Sequence, residues 1–282
     1  MEKDTVSPEK KNKELTLRVI TGFAGAGLIV ASIIAGEWTY FIVFLLITFL
    51  TLWEFYKLAG MDGMLPLKFW GIFASLALYA IAFLVENGTL TPRYYFAIFP
   101  LSFITFFIKL YKKTEKKPFT GIAFTFLGTI YVALPFSLLH TLAFYQGEYR
   151  YDILVGLLAL IWASDTGAYF AGTKFGKRKL FFRISPKKSW EGFIGGSILT
   201  LVVSGVLSVM SSLLLWWQWV SIAIIIIVAG TYGDLVESLL KRSLSVKDSG
   251  NAIPGHGGFL DRFDSLLLSS PFIAAFLELV RF

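Results

Sequence analysis

The chain has 282 residues, of which 56% are hydrophobic, 17% aromatic and only 16% charged, with a mean hydropathy of +0.68 and a formal charge of +7. A soluble domain carries roughly 25% charged and 45–50% apolar residues, so this composition excludes a water-soluble globule and indicates an integral membrane protein. With no cysteine, disulfides and thiolate chemistry are excluded, and a nucleic-acid partner is not implied, because the placement of the cations matters more than their sum.

The first sixteen residues are polar and of mixed charge. The apolar run that follows is too long for a signal peptide and lacks a small-residue cleavage pattern, so it is read as retained. A helix crosses about 30 Å of hydrocarbon with about 20 residues. Nine runs meet that length: 17–36, 38–59, 67–85, 94–110, 119–139, 152–171, 192–214, 216–240 and 264–281. The fourth is the weakest, short in its charge-free core and interrupted by Pro100. Continuous runs, rather than two-residue alternation, favour helices over a barrel. The expected fold class is therefore all-α, a polytopic membrane protein of about nine transmembrane helices.

If these runs alternate in direction, all but three of the 26 Lys and Arg fall on the side of the N-terminus, the exceptions being Arg93, Arg150 and Arg281. That bias places the N-terminus in the cytoplasm and, with nine spans, the C-terminus outside. No internal repeat or low-complexity linker stands out. The polar residues before residue 150 read as caps and loops, including the basic stretch "KLYKKTEKKP" at 109–118 and a structural His140. The expected organisation is 1–150, helices that build a lipid groove or an interface, and 151–282, helices that carry the chemistry.

An ionisable residue inside a span costs at least about 2.5–3.5 kcal/mol at the helix centre, which makes each one a functional hypothesis. Asp165 lies in "IWASDTGAYFAG", Asp234 and Glu237 in "AGTYGDLVESLLKR", and Asp261 and Asp264 at the start of the last run. All belong at the cytoplasmic ends of their helices. Taken singly, each acid could be a helix cap or the partner of a nearby Arg, as Asp261 could be for Arg262. As a set they repel one another unless a cation is held between them, and a hard divalent ion, Mg²⁺ or Mn²⁺, suits oxygen ligands. Around them lie cations: seven in "TKFGKRKLFFRISPKKSWEG" from residue 173, then Lys241, Arg242, Lys247 and Arg262. Acids, a metal and Lys/Arg together suit a polyphosphate. In "PGHGG", Gly255, Gly257 and Gly258 suit either an anion-binding nest or a plain turn between helices. His256 suits a phosphate donor or a loop hydrogen bond. There is no GxxxxGK[ST], HExxH or GxSxG motif, and two histidines make a His-rich zinc site unexpected.

The run "SLLKRSLSVKDSGNAIPGHGGFLDRFD", Ser238 to Asp264, resembles the signature of the phosphatidate cytidylyltransferases, or CDP-diacylglycerol synthases, at every fixed position. "SDTGAYFAGTKFGK" and "ISPKKSWEGFIGG" resemble the family's other cytoplasmic-face segments. The resemblance implies Mg²⁺-dependent conversion of CTP and phosphatidic acid to CDP-diacylglycerol and pyrophosphate, in a cell inner membrane with the site facing the cytoplasm. It leaves open Mn²⁺, a second cation and a homodimer. Carried onto this chain, it implies metal ligation by Asp234 and Asp261 with Asp264, and Asp165 close by. It implies catalytic roles for Asp165, Lys188, Lys241, Lys247, Asp248 and His256. Substrate contacts would come from Ser185, Lys187, Lys188, Lys241, Arg242, Gly257, Gly258 and Arg262. Two other readings share parts of this pattern. A CTP-dependent polyprenol or phytol kinase would release CDP instead of pyrophosphate, and a secondary transporter would hold its acids nearer the midplane.

Overall fold

The computed structural model describes residues 8–61, 63, 65–113, 115–244, 246, 249–250 and 257–281, with side chains from residue 20 onward. Among the described residues there are nine helices: α1 (Pro8–Ala35), α2 (Glu37–Met61), α3 (Lys68–Glu86), α4 (Pro92–Leu110), α5 (Pro118–Ala143), α6 (Tyr151–Phe175), α7 (Trp190–Met210), α8 (Trp216–Ser243) and α9 (Leu260–Leu279). Each of the nine apolar runs has become one of them. Seven, α2 to α8, are long and apolar enough to cross a membrane. The apolar part of α1, Ile20–Ala35, is shorter. The 20 residues of α9 include Asp261, Arg262, Asp264 and Glu278, so its composition is less apolar because it carries candidate site residues.

The prolines sit where the chain tolerates them. α4 opens with a 3₁₀ segment, Pro92–Ala97, and Pro100 falls in the first turn of the α-helical part, where an N–H has no helical partner anyway. In α5 a π-turn, Thr129–Ala133, comes just before Pro135. A second π-turn, Ile226–Gly230, lies in α8 one turn before Asp234. Such turns shift helical register and gather at functional sites.

Between α6 and α7 the basic stretch read as a loop forms a two-stranded antiparallel hairpin, β1 (Lys179–Phe181) and β2 (Ser185–Ser189), pairing Lys179 with Ser189 and Phe181 with Ser185. Both of its ends are tied down. The Glu191 carboxylate accepts the N–H groups of Lys177 and Arg178 at 3.1–3.2 Å. Ser189 caps α7, its Oγ accepting from the Gly192 N–H at 3.2 Å.

α7 exposes Ile194, Ile198, Val202 and Val206. It is held to α6 by a seam of small residues. A Cβ on Gly167 would lie 2.7 Å from the Gly195 oxygen and 2.9 Å from the Gly196 Cα, and one on Gly196 would lie 2.7 Å from the Ser164 oxygen. In lipid, where apolar surface gains little by leaving one greasy neighbour for another, such close backbone approach supplies the packing. Elsewhere the core is aromatic: Trp219 of α8 covers Gly156 of α6, and Tyr56 of α2 wedges between Gly71 and Gly128 and donates to the Thr125 carbonyl at 2.7 Å.

Gly167→Val should therefore lower the thermal unfolding temperature in detergent, overpacking costing about 1–3 kcal/mol. Gly205→Val, on α7 with nothing within 4 Å of its Cβ position, should leave that temperature unchanged. Equal stabilities for the two variants would contradict the seam.

Candidate active site

The hairpin, the C-terminal end of α8 and the start of α9 meet at one end of the bundle, around a pocket of about 430 Å³. Its walls are Ser164, Asp165 and Tyr169 from α6, Lys187, Lys188 and Ser189 from β2, Thr231 and Asp234 from α8, and Ser265 from α9. Ile161, Phe193 and Ile226 form its apolar side. Lys188 reaches across from β2 to pair with Asp234, Nζ to Oδ2 at 2.8 Å.

The position of Asp234 depends on the residue before it. A Cβ on Gly233 would lie 2.4 Å from the Asp264 carbonyl oxygen, so only glycine lets α8 press its backbone onto α9 here. The same contact is fastened by Ser265, whose Oγ donates to the Gly230 carbonyl at 3.2 Å. Asp264 accepts the N–H of Ser265 at 2.6 Å. It lies within electrostatic range of Asp234, Asp165 and Lys188, and Asp165 within range of Lys188, Asp234 and Arg262. Asp165, Asp234 and Asp264, from three helices far apart in sequence, therefore form one group around Lys188.

Asp261 belongs to a different group. Its Oδ1 accepts from Lys241 Nζ at 2.7 Å, and its Oδ2 accepts the N–H groups of Gly258 at 3.0 Å and Ser249 at 3.3 Å. Lys241 also pairs with Glu237 at 2.7 Å. The structure thus does not bring Asp234, Asp261 and Asp264 to one point. Three residues apart on α9, Asp261 and Asp264 share a side of the helix, but Asp261, in the first turn, folds back to collect N–H groups from the loop before it. Among the described residues no three His, Cys, Asp or Glu side chains are gathered closely enough to hold an ion by themselves.

The donor chemistry of the first group still suits a hard cation. It offers carboxylates and hydroxyls, with no imidazole or thiolate, and Mg²⁺ is commonly held by one or two carboxylates with water and substrate phosphates completing its shell.

Of the remaining expected residues, Lys187 lines the pocket and Ser185 opens β2. Arg242 is exposed near the end of α8, and Arg262 is exposed on α9 within range of Asp165. Gly257 has φ +84°, a conformation glycine favours, and Gly258 gives its N–H to Asp261. Lys247, Asp248 and His256 lie outside the described residues. Two residues here escaped the sequence reading. The hydroxyl of Tyr131, on the π-turn of α5, is buried with no hydrogen-bond partner among the described residues, within electrostatic range of Asp264, Glu237 and Asp234. Glu54 of α2 is buried beside Ser249 and Leu260. An acid inside the run 38–59 was the signal for Glu54; nothing comparable marked Tyr131.

Comparison with known proteins agrees along the chain. Residues 16–280 match the model of the cytidylyltransferase family. The chain is 32% identical over 272 residues to the phosphatidate cytidylyltransferase of Bacillus subtilis (strain 168), covering 94% of this chain and 98% of that one. It is 37% identical over 205 residues to the protein of that name from Staphylococcus haemolyticus (strain JCSC1435), covering 72% and 77% of the two chains. With the one from Haemophilus influenzae it shares 44% over 129 residues, 44% of this chain and 45% of the other.

The two lysines separate by their surroundings. Lys241→Met leaves Asp261 and Glu237 buried without their cation and should cost about 3–5 kcal/mol. Lys188→Met breaks a half-exposed pair and should cost about 0–1 kcal/mol. Chemical or thermal unfolding of the two variants in detergent measures the difference, and a reversed order would contradict the two-group arrangement.

Proposed function

The chain belongs to the cytidylyltransferase family, and from that premise we propose that it uses Mg²⁺ to transfer the cytidylyl group of CTP to phosphatidic acid at the cytoplasmic face of the membrane, releasing pyrophosphate. It is a nucleotidyltransferase embedded in the membrane by its apolar helices. The observation that carries the finer reading is the pocket itself, in which Lys187 and Lys188 of the hairpin face Asp165 and Asp234 beside an apolar wall. The cytoplasmic assignment rests on charge, since the hairpin and the loop after α8 lie on the side that holds all but three of the Lys and Arg.

The nucleophile in this reaction is the phosphate of phosphatidic acid. As a phosphate monoester it carries at least one ionised oxygen at neutral pH, so no strong general base is needed. One of its oxygens forms a bond to the α-phosphorus of CTP, and the bond from that phosphorus to the oxygen bridging the β-phosphate breaks. The electron pair leaves on pyrophosphate. The main obstacle is electrostatic, because two polyanions must approach one another. Lys187 and Lys188 offset that repulsion, with Arg262 within electrostatic range of Asp165. Lys188 is held by Asp234 until a phosphate arrives to compete for it. Asp165 and Asp234, the two carboxylates that line the pocket, would hold Mg²⁺ with water and substrate phosphate completing its shell, and the ion's charge would neutralise oxygens of the transferring phosphate. The apolar side, Ile161, Phe193 and Ile226, gives the glycerol and acyl part of the lipid a surface without charge.

Purified protein should release pyrophosphate from CTP when both phosphatidic acid and Mg²⁺ are supplied, and not when either is omitted. CDP in place of pyrophosphate would assign a kinase, and no turnover under any lipid or metal condition would overturn the proposal. Asp234→Asn and Asp165→Asn should each lower kcat by about 10²-fold or more, as losses of charge-stabilising groups do, with unfolding temperatures near that of the parent protein.

A further inference from the structure

We infer that Glu54, in the second helix, is a positioning residue that fixes the start of α9 and both ends of the signature loop, and so sets the placement of Asp261 and Asp264. This rests on the activity proposed above. Glu54 is buried, and its Oε2 accepts the N–H of Leu260 at 3.0 Å, with the Phe259 N–H within electrostatic range of the same carboxylate. The first N–H groups of a helix have no partner inside it. α9 does not meet that need locally, because Phe259 stands in the cap position with helical dihedrals and no capping side chain. An acid from α2, 206 positions away, takes that role.

The loop that precedes α9 converges on the same carboxylate from both sides. Ser249 Oγ donates to Glu54 Oε2 at 3.5 Å, and a Cβ on Gly250 would lie 2.9 Å from Oε1. At the other end, a Cβ on Gly258 would lie 2.4 Å from Oε2. Asp261 repeats the pattern from within α9 by accepting the N–H groups of Ser249 and Gly258. The two ends of the loop are therefore strapped to two carboxylates, one from α9 and one from α2. Packing of α9 has other supports, among them Ser270 Oγ donating to the Pro135 carbonyl at 3.2 Å, so Glu54 acts on the register of the first turn more than on whether the helix docks.

The test compares Glu54→Ala, Glu54→Gln and Gly258→Ala in the full-length protein, reading kcat with CTP and phosphatidic acid, unfolding temperature, and hydrogen exchange of the peptide spanning 257–264. Glu54→Ala should lower kcat about 10- to 100-fold, as misplacement of catalytic groups by an ångström does, while exchange quickens in that peptide and not across the bundle. Glu54→Gln keeps an oxygen for the Leu260 N–H and should retain kcat within about threefold, a loss no larger than one modest hydrogen bond. Gly258→Ala places a methyl against both the Ser249 hydroxyl, 2.1 Å from the Cβ position, and the Glu54 carboxylate, and should reproduce the Glu54→Ala loss from the loop side. The inference is overturned if Glu54→Ala keeps the parent kcat and exchange, or if exchange rises evenly with a lowered unfolding temperature and unchanged kcat. Should Glu54→Ala fail to fold, Gly258→Ala decides alone: parent-like rate and exchange overturn the inference. If the parent protein turns over no CTP, the proposed activity fails, while the exchange comparison still reports whether Glu54 caps α9.

Discussion

Six carboxylates, Glu54, Asp165, Asp234, Glu237, Asp261 and Asp264, are held at one end of a bundle built mostly of apolar side chains, and offsetting their charge is the constraint on which the local structure depends. In such surroundings a carboxylate needs a cation, N–H groups or both. The structure meets the demand twice, around two lysines. Lys188 serves Asp234 at the open pocket, and Lys241 serves Asp261 and Glu237 behind it. α8 carries parts of both arrangements, since Asp234, Glu237 and Lys241 recur at three- and four-residue spacing along one face. The pocket group is the more exposed of the two. The inner group is joined by its own ion pairs and backbone donors, with Glu237 Oε1 left buried and without a hydrogen-bond partner among the described residues.

Holding acids from separate helices at one depth requires the helices to approach closely, and the glycines make this possible. Gly233 lets α8 touch the α9 backbone at Asp264, which brings Asp234 and Asp264 within electrostatic range of one another. The seam of Gly167, Gly195 and Gly196 fixes α7 against α6, and the hairpin that spans their ends inherits that rigidity through Glu191 and Ser189. Lys188 is therefore delivered by a strand anchored at both ends instead of a free loop. Chemistry and packing are connected here, because the same small residues that hold the helices together in lipid set the distance between cation and acid.

The helices were legible in the sequence because hydropathy in a membrane protein is nearly a direct record of span length. The acids were legible for a related reason: a charge within an apolar run is costly and stands out. Which acids face one another was not legible, because that depends on side-chain direction at helix ends. Asp261 and Asp264 look equivalent at three-residue spacing, yet one folds back onto N–H groups of the preceding loop and the other stays with Asp234. The hairpin was hidden by its own composition, since "KLF" and "SPKKS" are too short and too basic to show strand alternation. Glu54 is the instructive omission. The rule that makes an intramembrane acid suspicious applies as well before residue 150 as after it.

The change in polarity near residue 150 is a change of content and not a gap in packing. α9 lies against α5, Ser270 bonds to Pro135, and the π-turn that carries Tyr131 looks toward the acids of α8 and α9. Phe136 meets Phe263 edge to face, one residue from Asp264. The early helices therefore form the bed on which the last helix, with its acids, is seated. A lipid-facing helix can drift and rotate at little cost when only apolar surface is at stake. A helix whose first turn is capped by a buried acid from another span cannot turn without stranding both the N–H groups and the carboxylate, and this makes polar contacts with the first half of the chain a physical source of precision in the second.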